Sequence, residues 1–209
     1  MYIQKLLLIL TFVGAALVTQ AQNQLDPFEY GVRIGWNTSS LWNGDVQEFY
    51  GFKSGLAIGG FAKFRFSRWL ALQPELLYSQ QGAADNGLTD ITNPTPYTIR
   101  NNYFIIPLLV KIYPFRRFNI HIGPQLGILV SSKLVSSTIE DIDTRDFFNS
   151  GDLSLTYGLE YEFNKGLLIG LRFNSSFTNI NDTSSISPLT GIPEQVGNGV
   201  MLLSAGWRF

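Results

Sequence analysis

The sequence predicts an all-β fold: an eight-stranded, antiparallel, up-and-down transmembrane β-barrel with short periplasmic turns and four long extracellular loops. Three observations predict it. Apolar and polar residues alternate with period two over eight segments, short connections alternate with long ones, and a secretory leader precedes them all. Composition is compatible but not diagnostic. Of 209 residues, 45% are hydrophobic and 15% charged, and mean hydropathy is +0.09, too polar for a bundle of membrane helices. A barrel divides apolar and polar side chains between its two faces, so its average is uninformative. Fifteen basic against 16 acidic residues leave no polycationic surface for nucleic acid. The absence of cysteine removes disulfides, thiolate metal sites and thiol nucleophiles.

The leader comes first. Lys5 precedes residues 6–18, an apolar run interrupted only by Thr11, and Thr19-Gln20-Ala21 places small residues before a cut. Residues 1–21 therefore read as a signal peptide and residues 22–209 as the barrel domain. The run is shorter than the ~20 apolar residues a spanning helix needs. No cysteine follows the cut for lipid acylation, and no later stretch of the chain could form a spanning helix.

The strands follow in order. In residues 28–37, Val32, Ile34 and Trp36 share one face and Glu29 and Arg33 the other. Residues 54–66 carry Lys63 and Arg65 on their polar face. In 69–80, Leu70, Leu72, Leu76 and Tyr78 oppose Glu75; in 101–113, Phe104, Ile106, Leu108, Val110 and Ile112 oppose Lys111. Residues 118–131 alternate most cleanly, with Ile120, Ile122, Leu126, Ile128 and Val130 against His121 and Gln125. In 152–163, Leu153, Leu155, Tyr157, Leu159 and Tyr161 oppose Glu160 and Glu162; in 166–178, Leu167, Ile169, Leu171 and Phe173 oppose Arg172. Residues 199–209 end on Trp207-Arg208-Phe209, with Arg208 on the polar face. Each segment matches the ~9–11 residues that cross a bilayer at a tilt. Pro74, Pro107 and Pro124 fall inside strands, and β-bulges are the expected accommodation.

Connections at 67–68, 114–117 and 164–165 are short, and those between them are long and polar. Outer-membrane barrels alternate in this way, whereas a soluble sandwich has no reason to. A soluble lipid carrier would also show one apolar and one polar face, with the apolar face inside. The one-sided long loops, the leader and the terminal Phe209 favour the membrane. Aromatic residues agree, forming two expected girdles. One, near the short turns, includes Tyr30, Phe64, Trp69, Tyr113, Tyr161 and Trp207; the other includes Trp36, Tyr78, Phe104 and Phe173.

Four stretches carry a family resemblance: residues 30–37 (YGVRIGWN), 72–82 (LQPELLYSQQG), 106–111 (IPLLVK) and 123–125 (GPQ), with the closing Gly206-Trp207-Arg208-Phe209. The chain resembles the PorT-like outer-membrane β-barrel proteins common in Bacteroidetes. The resemblance implies an eight-stranded barrel in the outer membrane. It implies little activity, although the founding member is linked to a secretion system. The terminal Phe209 resembles the signal read by the barrel-insertion machinery, which makes that machinery an expected partner during biogenesis.

The expected lumen set is Glu29, Arg33, Lys63, Arg65, Glu75, Lys111, His121, Glu160, Glu162, Arg172 and Arg208. An eight-stranded barrel is just wide enough for side chains to fill it, and buried charges must pair. The set reads as a structural plug, with a narrow anion-attracting pore as the alternative. His121 is the only histidine and points inward, so no base remains on the outer face for a lipid-modifying serine hydrolase. Neither catalytic residues, a cofactor nor a metal site is expected. The acidic loop cluster Glu140, Asp141, Asp143 and Asp146, with Asp152 just past its end, lacks the spacing of a calcium loop. In the first long loop, Trp42, Phe49, Tyr50 and Phe52 are candidates to contact a protein or glycan partner. The expected function is a small barrel of the Gram-negative outer membrane, surrounded by its lipid, that is structural or binds partners through its loops. An accessory role in protein export is the alternative, and a lipid-modifying enzyme or soluble lipid carrier ranks last.

Overall fold

The computed structural model describes residues 26–43, 51–85, 97–136, 141–145, 149–178 and 196–209. Residues 1–21, the expected leader, and most residues of the long loops lie outside the described residues. The strands are β1 (Phe28–Asn43), β2 (Gly51–Arg65), β3 (Leu70–Asp85), β4 (Tyr97–Phe115), β5 (Phe118–Ser136), β6 (Ile142–Asp143), β7 (Gly151–Glu162), β8 (Leu167–Ser176) and β9 (Val196–Arg208). All but β6 form the wall. Each pairs antiparallel with its neighbours in the chain, and β1 pairs with β9, so the sheet closes on itself. The two-residue β6 hangs on the outer end of β5 through Lys133↔Asp143 and Leu134↔Ile142.

Period-two alternation becomes two surfaces. In β7, Ser154, Thr156, Glu160 and Glu162 are buried while Leu153, Tyr157, Leu159 and Tyr161 are exposed. Large apolar side chains are exposed in the same way on all eight wall strands. Such a surface has no favourable contact with water, and its burial is supplied by lipid. Charges inside and apolar side chains outside invert what a soluble lipid carrier requires, so that reading is overturned. Aromatic pairs mark two levels. Phe28–Phe64 (5.2 Å), Tyr30–Phe209 (5.7 Å) and Tyr161–Phe163 (4.8 Å) lie near the short turns, with Tyr78–Phe104 (5.8 Å) and Tyr157–Phe173 (5.9 Å) toward the other end. Tyr113 departs from the expected girdle: it points inward and is buried.

The strands run further into the long-loop side than the apolar pattern predicts. β4 and β5 are each 19 residues long. Ladder hydrogen bonds need no apolar side chain, so pairing continues past the lipid-facing band into water. A bulge shapes this extension: Tyr103 pairs with Leu129 and Asn102 with Ser131, leaving Val130 as the extra residue. The bulge flips parity beyond it, turning Ser132 inward and Lys133 outward.

The prolines do not sit at bulges, contrary to expectation. Register runs unbroken past all three, through Pro74↔Leu108, Pro107↔Gln125 and Pro124↔Leu155. Beside each proline two pairings are absent from one ladder: Pro74 with Ala62 and Gln73 with Lys63, Pro107 with Glu75 and Leu76 with Ile106, Pro124 with Leu108 and Gly123 with Leu109. The proline pairings are the positions where the backbone alternation would aim each proline nitrogen at a neighbouring carbonyl. The wall therefore gives up three local bonds and keeps its register, because a shift would turn every later side chain to the wrong face.

Candidate functional site in the barrel lumen

All eight wall strands send polar side chains into one network, because β-alternation points every second residue inward. Toward the short turns, the Glu162 carboxylate on β7 gathers Lys63 (2.9 Å), Arg65 (3.4 Å) and Arg208 (3.2 Å), and accepts a 2.6 Å hydrogen bond from the Tyr113 hydroxyl. Glu29 on β1 pairs with Lys63 and, at 3.2 Å, with Arg208. Deeper in, Glu160 pairs with Lys111 and with Arg33 at 2.5 Å. Arg172 on β8 grips Glu75 on β3 with both terminal nitrogens, at 2.6 and 2.7 Å. A bidentate fork of this kind is the strongest geometry such a pair can adopt.

Neutral side chains complete the shell. Gln73 donates to Glu75 at 2.6 Å, and the Asn119 amide donates to Glu160 and Glu162 at 3.5 and 3.4 Å. Arg33 also donates to Ser204 at 2.8 Å. The arrangement assigns the tautomer of His121. Arg172 Nε can only donate, so His121 Nε2 at 3.1 Å accepts; Nδ1 then carries the proton and donates to Asn119 Oδ1 at 3.0 Å. A histidine held by both ring nitrogens inside a packed lumen has no open side for substrate.

The structure brings together every residue of the sequence-derived lumen set. Each of the ten charged members makes at least one ion pair, and His121 is bonded to Arg172. The most deeply buried cations, Arg33, Lys63, Lys111 and Arg172, are matched in number by Glu29, Glu75, Glu160 and Glu162. Arg65 and Arg208 are the surplus; Arg208, with its side chain 24% exposed, is the wettest member. Gln73, Tyr113, Asn119 and Ser204 belong to the site but were absent from the expected lumen set. Their inward parity was the available signal; being uncharged, they carried no requirement for a partner.

The lumen is not polar throughout. Beyond Glu75 toward the long loops, buried Leu77, Tyr103, Ile105 and Leu129 pack as an apolar cluster. Above it, Asn37 donates to Ser79 at 2.9 Å and Asn198 to Gln81 at 2.5 Å. The lumen is thus blocked in layers: charged, apolar, then neutral polar.

The other candidates are placed as follows. Trp42 lies at the end of β1 in register with Gly197, and Phe52 on β2 is 72% exposed. Phe49 and Tyr50 fall outside the described residues, as do Glu140 and Asp146. Asp152, just past the acidic loop, is buried inside the barrel and accepts from Ser176 and, at 3.0 Å, from Thr178. Among the described residues no group of three acidic or histidine side chains could hold a metal ion.

Comparison with known proteins agrees with this architecture. The sequence matches the family model of the outer membrane protein beta-barrel domain over residues 20–182, which ends before β9. No curated protein gives a significant match. Among solved structures, Neisserial surface protein A (NspA) has a TM-score of 0.52 at 11% identity, covering 86% of this chain and 97% of that one. Ail, the attachment invasion locus protein of Yersinia pestis, solved with the heparin analogue sucrose octasulfate, has 0.49 at 14%, covering 87% and 99%. OprG from Pseudomonas aeruginosa has 0.44 at 15%, covering 87% and 95%. At 11% identity the likeness to NspA speaks to fold alone. A closed ring with a lipid-facing exterior, matched by that model over most of its length, is a protein of the outer membrane, and the chain belongs to the outer membrane protein beta-barrel domain family.

Proposed function

We propose that this protein is a non-conducting barrel of the outer membrane whose extracellular end, not its lumen, is the working surface. Residues 1–21 act as a signal peptide removed after Ala21, and the mature chain presents loops to protein or glycan partners. The observation that carries this reading is the layered lumen. Arg172–Glu75 and Arg33–Glu160 bridge strands that are not neighbours in the wall, so the bonds cross the bore itself. An ion entering would have to break buried pairs and then pass the apolar layer of Leu77, Ile105 and Leu129. No enzymatic step is assigned, since the one histidine is enclosed by Arg172 and Asn119. The expected result in planar bilayers is no steady unit conductance from the wild-type protein. Reproducible ohmic channels would overturn the proposal.

The motifs at residues 30–37 and 72–82 support a narrower reading, a PorT-like accessory to protein export. Affinity capture of the intact protein from mild detergent tests it. Recovery of export components supports that role, and their absence leaves the general loop-binding barrel.

A further inference from the structure

We propose that the outer wall carries a binding site for the phosphate groups of an outer-leaflet lipid headgroup, centred on Arg100 and Lys133. The site is a cleft of about 570 Å³ on the face of β2–β5, distinct from the lumen. It begins where the lipid-facing band stops. Below it the outward side chains are Leu56, Tyr78, Phe104 and Val130; the next outward positions are Ser54, Gln80, Asn102 and Ser131, all lining the cleft. Gln80 is in register with Asn102, and Asn102 with Ser131, so this polar row crosses the wall at one level. The following outward pair is Arg100 and Lys133, directly opposite each other across the ladder.

Placing two cations directly opposite is unfavourable unless something neutralises them. A third cation joins them. Lys53 lines the cleft, its stem lying over Gly82, where a Cβ would come within 3.3 Å of Lys53 Cδ. None of the three makes an ion pair among the described residues, although eleven such contacts hold the lumen together. Asp141 is the one acid in the lining, and Asp143, in register with Lys133, accepts instead from the Arg145 amide at 3.0 Å. Among the described residues the cluster therefore has a net positive charge and side-chain donors with no carboxylate paired to them.

Its level and direction identify the class of ligand. Arg100 lies two outward positions beyond Phe104, about 10 Å higher along the barrel axis for a tilted strand rising ~3.3 Å per residue. Phe104 and Tyr78 belong to the aromatic level, so the cations lie at the depth of the headgroups. Arg100 and Lys133 point sideways into the leaflet, not upward into solvent, because they share the outward parity of the lipid-facing residues. A phosphate monoester held laterally by an arginine and a lysine, with Asn102, Ser131 and Gln80 beneath to bond sugar or amide oxygens, fits that position.

The experiment is native mass spectrometry of the folded protein in a nonionic detergent, with diphosphoryl lipid A as probe. The wild type and an Arg116→Gln/Arg117→Gln variant at the opposite rim are expected to retain the lipid adduct. Arg100→Gln/Lys133→Gln, folded as judged by heat-modifiable migration, is expected to lose about tenfold in occupancy. Phosphatidylcholine, whose phosphate is covered by choline, is expected to give no adduct. Equal occupancy in the double variant, or an equal phosphatidylcholine adduct, would overturn the site. Displacement of lipid A by an equal concentration of inorganic phosphate would overturn the lipid as its ligand.

Discussion

Glu160→Gln is expected to destabilise the barrel by about 3–5 kcal/mol, the cost of leaving buried charge without its partner. Glu160 is fully buried, pairs with Arg33 and Lys111, and lies 3.9 Å from Arg172. The substituted amide keeps the shape and one acceptor but turns an NH2 donor toward either Arg33 or Lys111, so the change removes the charge and one acceptor together. The network already holds six cations against four carboxylates. Its deepest part tolerates no further surplus, because solvent reaches the surplus Arg208 and not Arg33 or Lys111. The check is the urea midpoint of refolded protein in micelles, followed by tryptophan fluorescence. Adding Lys111→Met should recover part of the loss, since it removes the stranded cation with the missing carboxylate. An unchanged midpoint in the single variant would show that the pairs are not coupled to stability.

Gly123→Ala is expected to cost about 3 kcal/mol, at the upper end of what overpacking does. A Cβ on Gly123 would lie 1.9 Å from the Leu108 carbonyl oxygen and 2.8 Å from its carbon. Backbone cannot turn aside as a flexible side chain can, so β4 and β5 would have to separate. This occurs beside Pro124, where the ladder already lacks the pairing with Leu108. Two adjacent weaknesses in one seam leave little to hold it. Gly151→Ala is the matched control, because a Cβ there meets nothing within 4 Å. The two variants compared for heat-modifiable migration and urea midpoint decide the matter: equal behaviour would mean that the close approach at Leu108 relaxes without cost.

Much of the site was legible in the sequence. Arg33, Glu75, Glu160 and Arg172 are the wrong residues for a lipid face, and parity alone assigns them to the inside. What parity could not supply was the set of partners. Arg172 and Glu75 are 97 residues apart, and Arg33 and Glu160 are 127 apart. No spacing rule reaches that far. Tyr113 was misplaced because aromatic type at a strand end suggested a girdle, whereas its hydroxyl serves Glu162 inside.

The sequence by itself determined the number of wall strands, their antiparallel order, which face meets lipid and the inward parity of the ten charged residues that pair in the lumen. All of these follow from a period of two and from connection lengths, which are local properties. Only the tertiary structure decided which cation meets which carboxylate, how far the strands run beyond the membrane, how the prolines are borne, and that Arg100 and Lys133 stand side by side. The reason is closure. Once strands tilt and join in a ring, register and barrel curvature set which side chains share a level, and those are properties of the whole sheet rather than of any segment of it.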